Sequence, residues 1–193
     1  MTRLIELLRE LSVKTGDFTL KSGKKSDLYV DVRQTALHCE GVYHIAVAVQ
    51  DALDPTVEAL GGVELGAVPI VGAVNCLGHT RWDGGYRFRD IHGFIVRKAA
   101  KEHGTKSKIE RCPPKGTKVC IIEDVTTTGG SLEKAIIAAQ MAGLDVVQVI
   151  TVVDRQETFE VEGTAYKGAE EFLRAGGYRG VFTALTTRED LVG

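Results

Sequence analysis

The sequence predicts an α/β fold, a central and mostly parallel sheet flanked by helices. Three observations carry this expectation. Apolar strand-like runs alternate with helical patterns along the chain. Residues 145–153 are almost continuous Val and Ile, as expected of a strand buried on both faces of a parallel sheet. The 193 residues, 44% hydrophobic and 26% charged, suit one globular domain (1–193) with a sizeable core.

In chain order, Leu4, Leu7, Leu8 and Leu11 recur at helical spacing and predict an amphipathic helix that Thr15 and Gly16 stop. Residues 18–20 and 28–32 read as short strands around a polar turn, 21–27. A second helix is expected over 37–53, ended by Asp54 and Pro55. Residues 56–60 then form a strand feeding a turn at Gly61 and Gly62, and 67–76 a buried helix. Segment 78–92, GHTRWDGGYRFRDIH, matches no regular element. Beyond it come a buried strand (93–97), a cation-rich stretch (98–108), a strand (117–123), a helix (132–142) closed by Gly143, the Val-rich strand, a helix (170–175) and a strand (178–184).

Composition excludes several classes. A net charge of −2 gives no global attraction to nucleic acid. No run of about eighteen apolar residues suggests a membrane span, and the start, MTRLIELLRELSVKTG, does not read as a signal peptide. Cys39, Cys76, Cys112 and Cys120 form no CxxC pair and lack metal-like His spacing, so reduced thiols and a cytoplasmic location are expected.

The stretch VCIIEDVTTTGGS, residues 119–131, joins an apolar strand, two acids and a loop of hydroxyls and glycines leading into a helix. The first turn of a helix offers unpaired amides and partial positive charge to an anion. Gly129 and Gly130 let the backbone approach it, and Thr126, Thr127, Thr128 and Ser131 add hydroxyl donors. No GK[ST] follows the glycines, so this is not a Walker A loop. Glu123 and Asp124 would repel a phosphate but suit two neighbouring hydroxyls; a sugar phosphate satisfies both halves. The plainer alternative, Ser131 as helix N-cap with an acid beside it, leaves Glu123, the threonines and the glycines unexplained.

The same stretch resembles the phosphoribosyl-diphosphate (PRPP) binding motif of type I phosphoribosyltransferases. Three more stretches resemble orotate phosphoribosyltransferases within that group: FTLKSGKKSDLY (18–29) their N-terminal hairpin, FIVRKAAKEHGTKSKIE (94–110) their catalytic loop, and VVDRQE (152–157) their orotate-contacting strand end. The resemblance implies a type I phosphoribosyltransferase fold in which residues 1–33 and the C-terminal segment form a small hood over the site. It implies transfer of phosphoribose from PRPP to orotate, with Mg²⁺ carried mainly by substrate oxygens. Lys98, Lys101, His103 and Asp124 become the catalytic candidates. PRPP would be held by Lys21, Arg97, Lys98, Lys101, His103, Glu123, Asp124, Val125, Thr126, Thr127, Thr128, Gly129, Gly130 and Ser131. Orotate would be held by Lys21, Thr127 and Arg155. A homodimer is implied, with loop 97–110 reaching the neighbouring active site, and no nucleic-acid or membrane partner. For Arg155 the plain alternative is a surface pair with Asp154.

Several positions depart from the family pattern. Asp27 stands where proline is usual, no lysine lies near Leu65, Arg111 replaces a glycine, and segment 76–92 is long. These leave two further readings: a relative acting on another base or carboxylated heterocycle, and a non-catalytic nucleotide-sensing RNA-binding regulator.

Overall fold

The computed structural model describes residues 1–19, 25–82, 85–86, 88–99 and 108–192. The chain opens with α1 (Thr2–Leu7), which runs into a single π-helical turn, Leu8–Ser12. β1 (Val13–Thr19) and β2 (Lys25–Val30) pair antiparallel as a separate two-stranded sheet. The helix therefore ends before Thr15 and Gly16. Val13 and Thr15 pair with Val30 and Leu28, and the buried Ser12 hydroxyl lies 2.6 Å from that of Thr35. These tertiary contacts end the helical run at Ser12, one residue past Leu11, the last leucine of the pattern.

α2 (Arg33–Ala36), α3 (Cys39–Ala52), β3 (Ala59–Val63) and α4 (Val68–His79) follow. Then come β4 (Arg81–Trp82), β5 (Gly85–Tyr86), β6 (His92–Val96), β7 (Ile109–Glu110), β8 (Lys118–Thr126) and α5 (Gly130–Met141). β9 (Asp145–Asp154), β10 (Phe159–Val161), β11 (Thr164–Tyr166), α6 (Ala169–Ala175), β12 (Val181–Thr187) and α7 (Arg188–Val192) complete the chain.

The main sheet has the order β12-β9-β8-β3-β6-β7, parallel throughout except for the β6–β7 pair. Its strands alternate between two cores. Leu60, Cys120, Ile122 and Ile150 pack with Ile45, Val49 and Val74 of α3 and α4. Ala59, Val119, Ile121 and Val149 pack with Leu132, Ala135 and Leu173 of α5 and α6. This two-sided burial explains why β9 reads as a mainly Val and Ile run, with only Gln148 and Thr151 polar between its terminal aspartates.

Gly61 and Gly62 lie inside β3, not in a turn. A methyl added at Gly61 would fall 2.3 Å from Cζ of Phe94, and one at Gly62 2.7 Å from Cγ2 of Val71. The glycines make room for large neighbours on both faces of a central strand, and a sequence pattern cannot tell that from turn chemistry.

Within 78–92, α4 extends to His79 and a two-residue hairpin pairs Arg81 with Tyr86 and Trp82 with Gly85. The segment is then pinned to the fold. Gln50 Nε2 donates to the Arg89 carbonyl at 2.9 Å, and the Arg89 amide donates back to Gln50 Oε1 at 3.3 Å. The Arg89 guanidinium donates to the carbonyls of Asp54 (2.9 Å), Pro55 (3.1 Å) and Val57. Arg89→Ala is expected to lower stability by about 2–3 kcal/mol, since those carbonyls lose a charged donor. Urea denaturation checks this; a change below about 0.5 kcal/mol would rule out the clamp.

The β10–β11 hairpin and α7 had no sequence signal of their own. The hairpin rests on an aromatic cluster, with the rings of Phe159 and Tyr166 5.5 Å apart and Phe172 edge-on to both. α7 is held by contacts distant in sequence: Arg9 donates to the Asp190 carbonyl at 2.6 Å, and Arg188 to Asp27 at 2.8 Å. Asp27 thus lies in β2 rather than in the turn, and Arg188 holds its carboxyl below the usual carboxylate range. All four cysteines are free, with only Cys120 buried. No helix among the described residues is long and apolar enough to cross a membrane.

Candidate active site

β8 ends three residues beyond the expected strand, 117–123, so Asp124 stands within the strand with Glu123 rather than after it. Glu123 is only 7% exposed. The Thr126 hydroxyl donates to Glu123 Oε2 at 3.3 Å, and the nearby Ser131 hydroxyl favours the charged form of this carboxyl. Burial first, and then the neighbouring charge of Asp124, push the Glu123 carboxyl up to about 7. Burial also raises Asp124, against a pull downward from the Val125 amide. Asp124 sits directly on the backbone of Gly66: a methyl added there would lie 1.9 Å from Asp124 Oδ2.

Gly129, not Ser131, is the N-cap of α5. It adopts φ 82°, a left-handed conformation that favours glycine, and no side chain caps the helix. The N-cap alternative for Ser131 is therefore corrected. Ser131 lies inside the first turn, near Glu123, while Thr127, Thr128 and Gly129 form the link between β8 and α5.

A cleft of about 310 Å³ opens at the carboxyl ends of β3, β6 and β8, where ligands bind in such sheets. Glu123, Asp124, Val125, Ser131 and Lys98 line it, together with Tyr29, Val30, Asp31, Arg33, Glu64, Leu65 and Gly66. Asp31, Arg33 and Glu64 were not singled out from the sequence. Arg33 forks onto Asp31 with bonds of 2.6 and 2.9 Å, and Glu64 Oε1 accepts the Lys98 amide at 2.7 Å. For Glu64 and Gly66 a signal existed: they directly follow the central strand at its ligand-binding end. Asp31 and Arg33, two charged residues after a hairpin, carry no such mark.

The other candidates divide. Arg97 does not line this cleft; it pairs with Glu110 at 3.3 Å and borders an adjacent pocket of about 170 Å³ with Lys98, Lys108 and Lys134. Lys21, Lys101 and His103 lie outside the described residues. Arg155 is buried, 5% exposed, and does not line the cleft either. Its amide donates to the Thr126 carbonyl at 2.9 Å, which joins it to the strand that carries the acids. Its Nη2 reaches Glu157 Oε1 at 2.6 Å and the Leu28 carbonyl at 3.2 Å. The expected alternative pair with Asp154 does not form: Asp154 Oδ1 instead accepts the Gln156 amide at 2.9 Å.

No family model matches the chain. An orotate phosphoribosyltransferase from Bradyrhizobium diazoefficiens is 42% identical over 185 residues, covering 90% of this chain and 96% of the relative. The chain belongs to the orotate phosphoribosyltransferase family. Another member, from Corynebacterium glutamicum, is 43% identical over 169 residues, 85% of this chain and 87% of its own. Among solved structures, the Mycobacterium tuberculosis enzyme in complex with PRPP superposes with a TM-score of 0.71 at 33% identity, over 98% of this chain and 96% of that one. Adenine phosphoribosyltransferase of Leishmania donovani, at 16% identity and a TM-score of 0.66, covers 98% of this chain and 81% of its own and shares the fold alone. The sheet and flanking helices are thus the type I phosphoribosyltransferase fold.

Proposed function

We propose that the chain transfers the phosphoribosyl group of PRPP to orotate, giving orotidine 5′-monophosphate and diphosphate, a step of de novo pyrimidine synthesis. One observation carries the reading beyond the family assignment. The paired carboxylates of β8 and the uncapped first turn of α5 meet beside one cleft.

In this reading Glu123 and Asp124 accept hydrogen bonds from the ribose 2′- and 3′-hydroxyls, and residues 125–131 with the α5 amides hold the 5′-phosphate. A ring nitrogen of orotate attacks the anomeric carbon as the bond to diphosphate breaks, through an oxocarbenium-like state. No protein nucleophile is needed; the side chains position the substrates and balance charge. Lys98, Arg97, Lys101 and His103 stabilise the departing diphosphate. Lys21, Thr127 and Arg155 hold orotate, the planar guanidinium fork of Arg155 suiting its carboxylate.

Mg²⁺, bound through PRPP oxygens, would neutralise part of the diphosphate charge. Asp31, Glu64 and Asp124 line the cleft, but no group of three His, Cys, Asp or Glu among the described residues is placed to hold a metal ion, so PRPP oxygens would hold it and these acids would meet it only through its waters. A cytoplasmic homodimer with loop 97–110 shared between sites belongs to the same reading. So does a hood of residues 1–33 and the C-terminal segment, supported by the Arg188–Asp27 and Arg9–Asp190 contacts.

Incubation with PRPP, Mg²⁺ and orotate should consume the orotate absorbance. Turnover only with another base would favour the other-base reading. No turnover with any base, together with RNA binding, would favour the regulator.

A further inference from the structure

We propose that Glu157 is an internal carboxylate that holds the orotate carboxylate's place on Arg155 until the substrate displaces it. The inference rests on the reading of Arg155 as an orotate contact and assigns that same site a gate.

Arg155 is 5% exposed, and a guanidinium buried to that degree is costly without a countercharge. Glu157 supplies one at 2.6 Å. A tight turn brings it there. Asp154 Oδ1 accepts the Gln156 amide at 2.9 Å, and Gln156 takes φ 51°, a left-handed conformation uncommon for a residue with a side chain. Two residues after Arg155, the chain has thus folded back far enough for Glu157 to reach its own strand end. The same Nη2 also donates to the Leu28 carbonyl of β2 at 3.2 Å.

The two partners differ in freedom. The Arg155 side chain is 6% exposed and that of Glu157 25%. Glu157 can turn toward water while Arg155 stays. An incoming orotate carboxylate has the same charge and the same planar pair of oxygens as the group it replaces. The exchange keeps the buried guanidinium paired throughout. A base without a carboxylate offers nothing to exchange, and Arg155 keeps Glu157.

Glu157→Gln removes the competing charge with little change of shape. At saturating PRPP and Mg²⁺ the KM for orotate should fall about tenfold, in the range measured for close charge pairs. The KM for PRPP should not change. Calorimetric binding of orotidine 5′-monophosphate should tighten by a similar factor, and Glu157→Ala should shift both in the same direction. An unchanged or higher orotate KM in a variant with native circular dichroism would overturn the proposal, because Glu157 would then orient Arg155 rather than compete for it. Arg155→Met separates the two ideas. If it leaves the orotate KM unchanged, the reading of Arg155 itself fails. If it raises that KM while neither Glu157 variant lowers it, only the gate fails.

Discussion

Glu123→Gln is expected to lower kcat/KM for PRPP about a hundredfold and, at the same time, to stabilise the protein above neutral pH. The two effects share one cause, a carboxylate buried at the position proposed to meet the substrate hydroxyls. Its carboxyl stands at about 7 in the folded chain against an ordinary 4.5. Below about pH 4.5 both folded and unfolded states are protonated, and the burial costs nothing. Between 4.5 and 7 the unfolded state ionises first, so stability falls as pH rises. Above 7 the cost is complete, about 3 kcal/mol for a rise of this size. Glutamine does not ionise and escapes it. The melting temperature of the variant should therefore match the parent near pH 4.5 and exceed it by about 6–10 °C at pH 8. A gap that stays constant with pH would contradict the burial argument; a gap that opens alongside full activity would remove Glu123 from the ribose site.

Gly66→Ala should be nearly as damaging to activity, although residue 66 has no side chain to contribute. The new methyl would lie 1.9 Å from Asp124 Oδ2 and 2.1 Å from Cγ. The carboxylate must turn away, and a displacement of that order from a reacting group costs about a hundredfold. Because the clash falls on a half-buried side chain bordering an open cleft, the fold should survive, with the melting temperature within a few degrees. Gly72→Ala is the matched control. Gly72 lies in α4 with nothing within 4 Å of its added methyl, so that change should leave activity intact. Activity of Gly66→Ala within about fivefold of the parent would show that Asp124 need not stand where it does.

Gly66 stands at a position the sequence marks, just after the central strand, but its purpose there does not show in the sequence. A glycine after a strand has many uses, and only the carboxylate lying on it reveals this one. Gly61 and Gly62 resemble turn glycines in sequence for the same reason: the reach of Phe94 and Val71 decides their purpose, not their neighbours in sequence. Arg89, inside a segment with no regular pattern, closes three carbonyls by contacts more than thirty residues away. The acids and hydroxyls of 123–131 were legible because the chemistry there is contiguous, strand to loop to helix.

By itself the sequence determined the alternation of strands and helices, the doubly buried β9 and the contiguous run of acids, hydroxyls and glycines at 123–131. All of these depend on interactions between residues near one another in the chain, or on burial periodicity, which the pattern of side chains records directly. Only the tertiary structure decided that Glu123 is buried and Asp124 rests on Gly66. It alone set Arg33 against Asp31 at the cleft, and it alone gave Arg155 Glu157 rather than Asp154 as its partner. These are matters of distance and desolvation between elements, and a charged residue reads the same in sequence whether water or protein surrounds it.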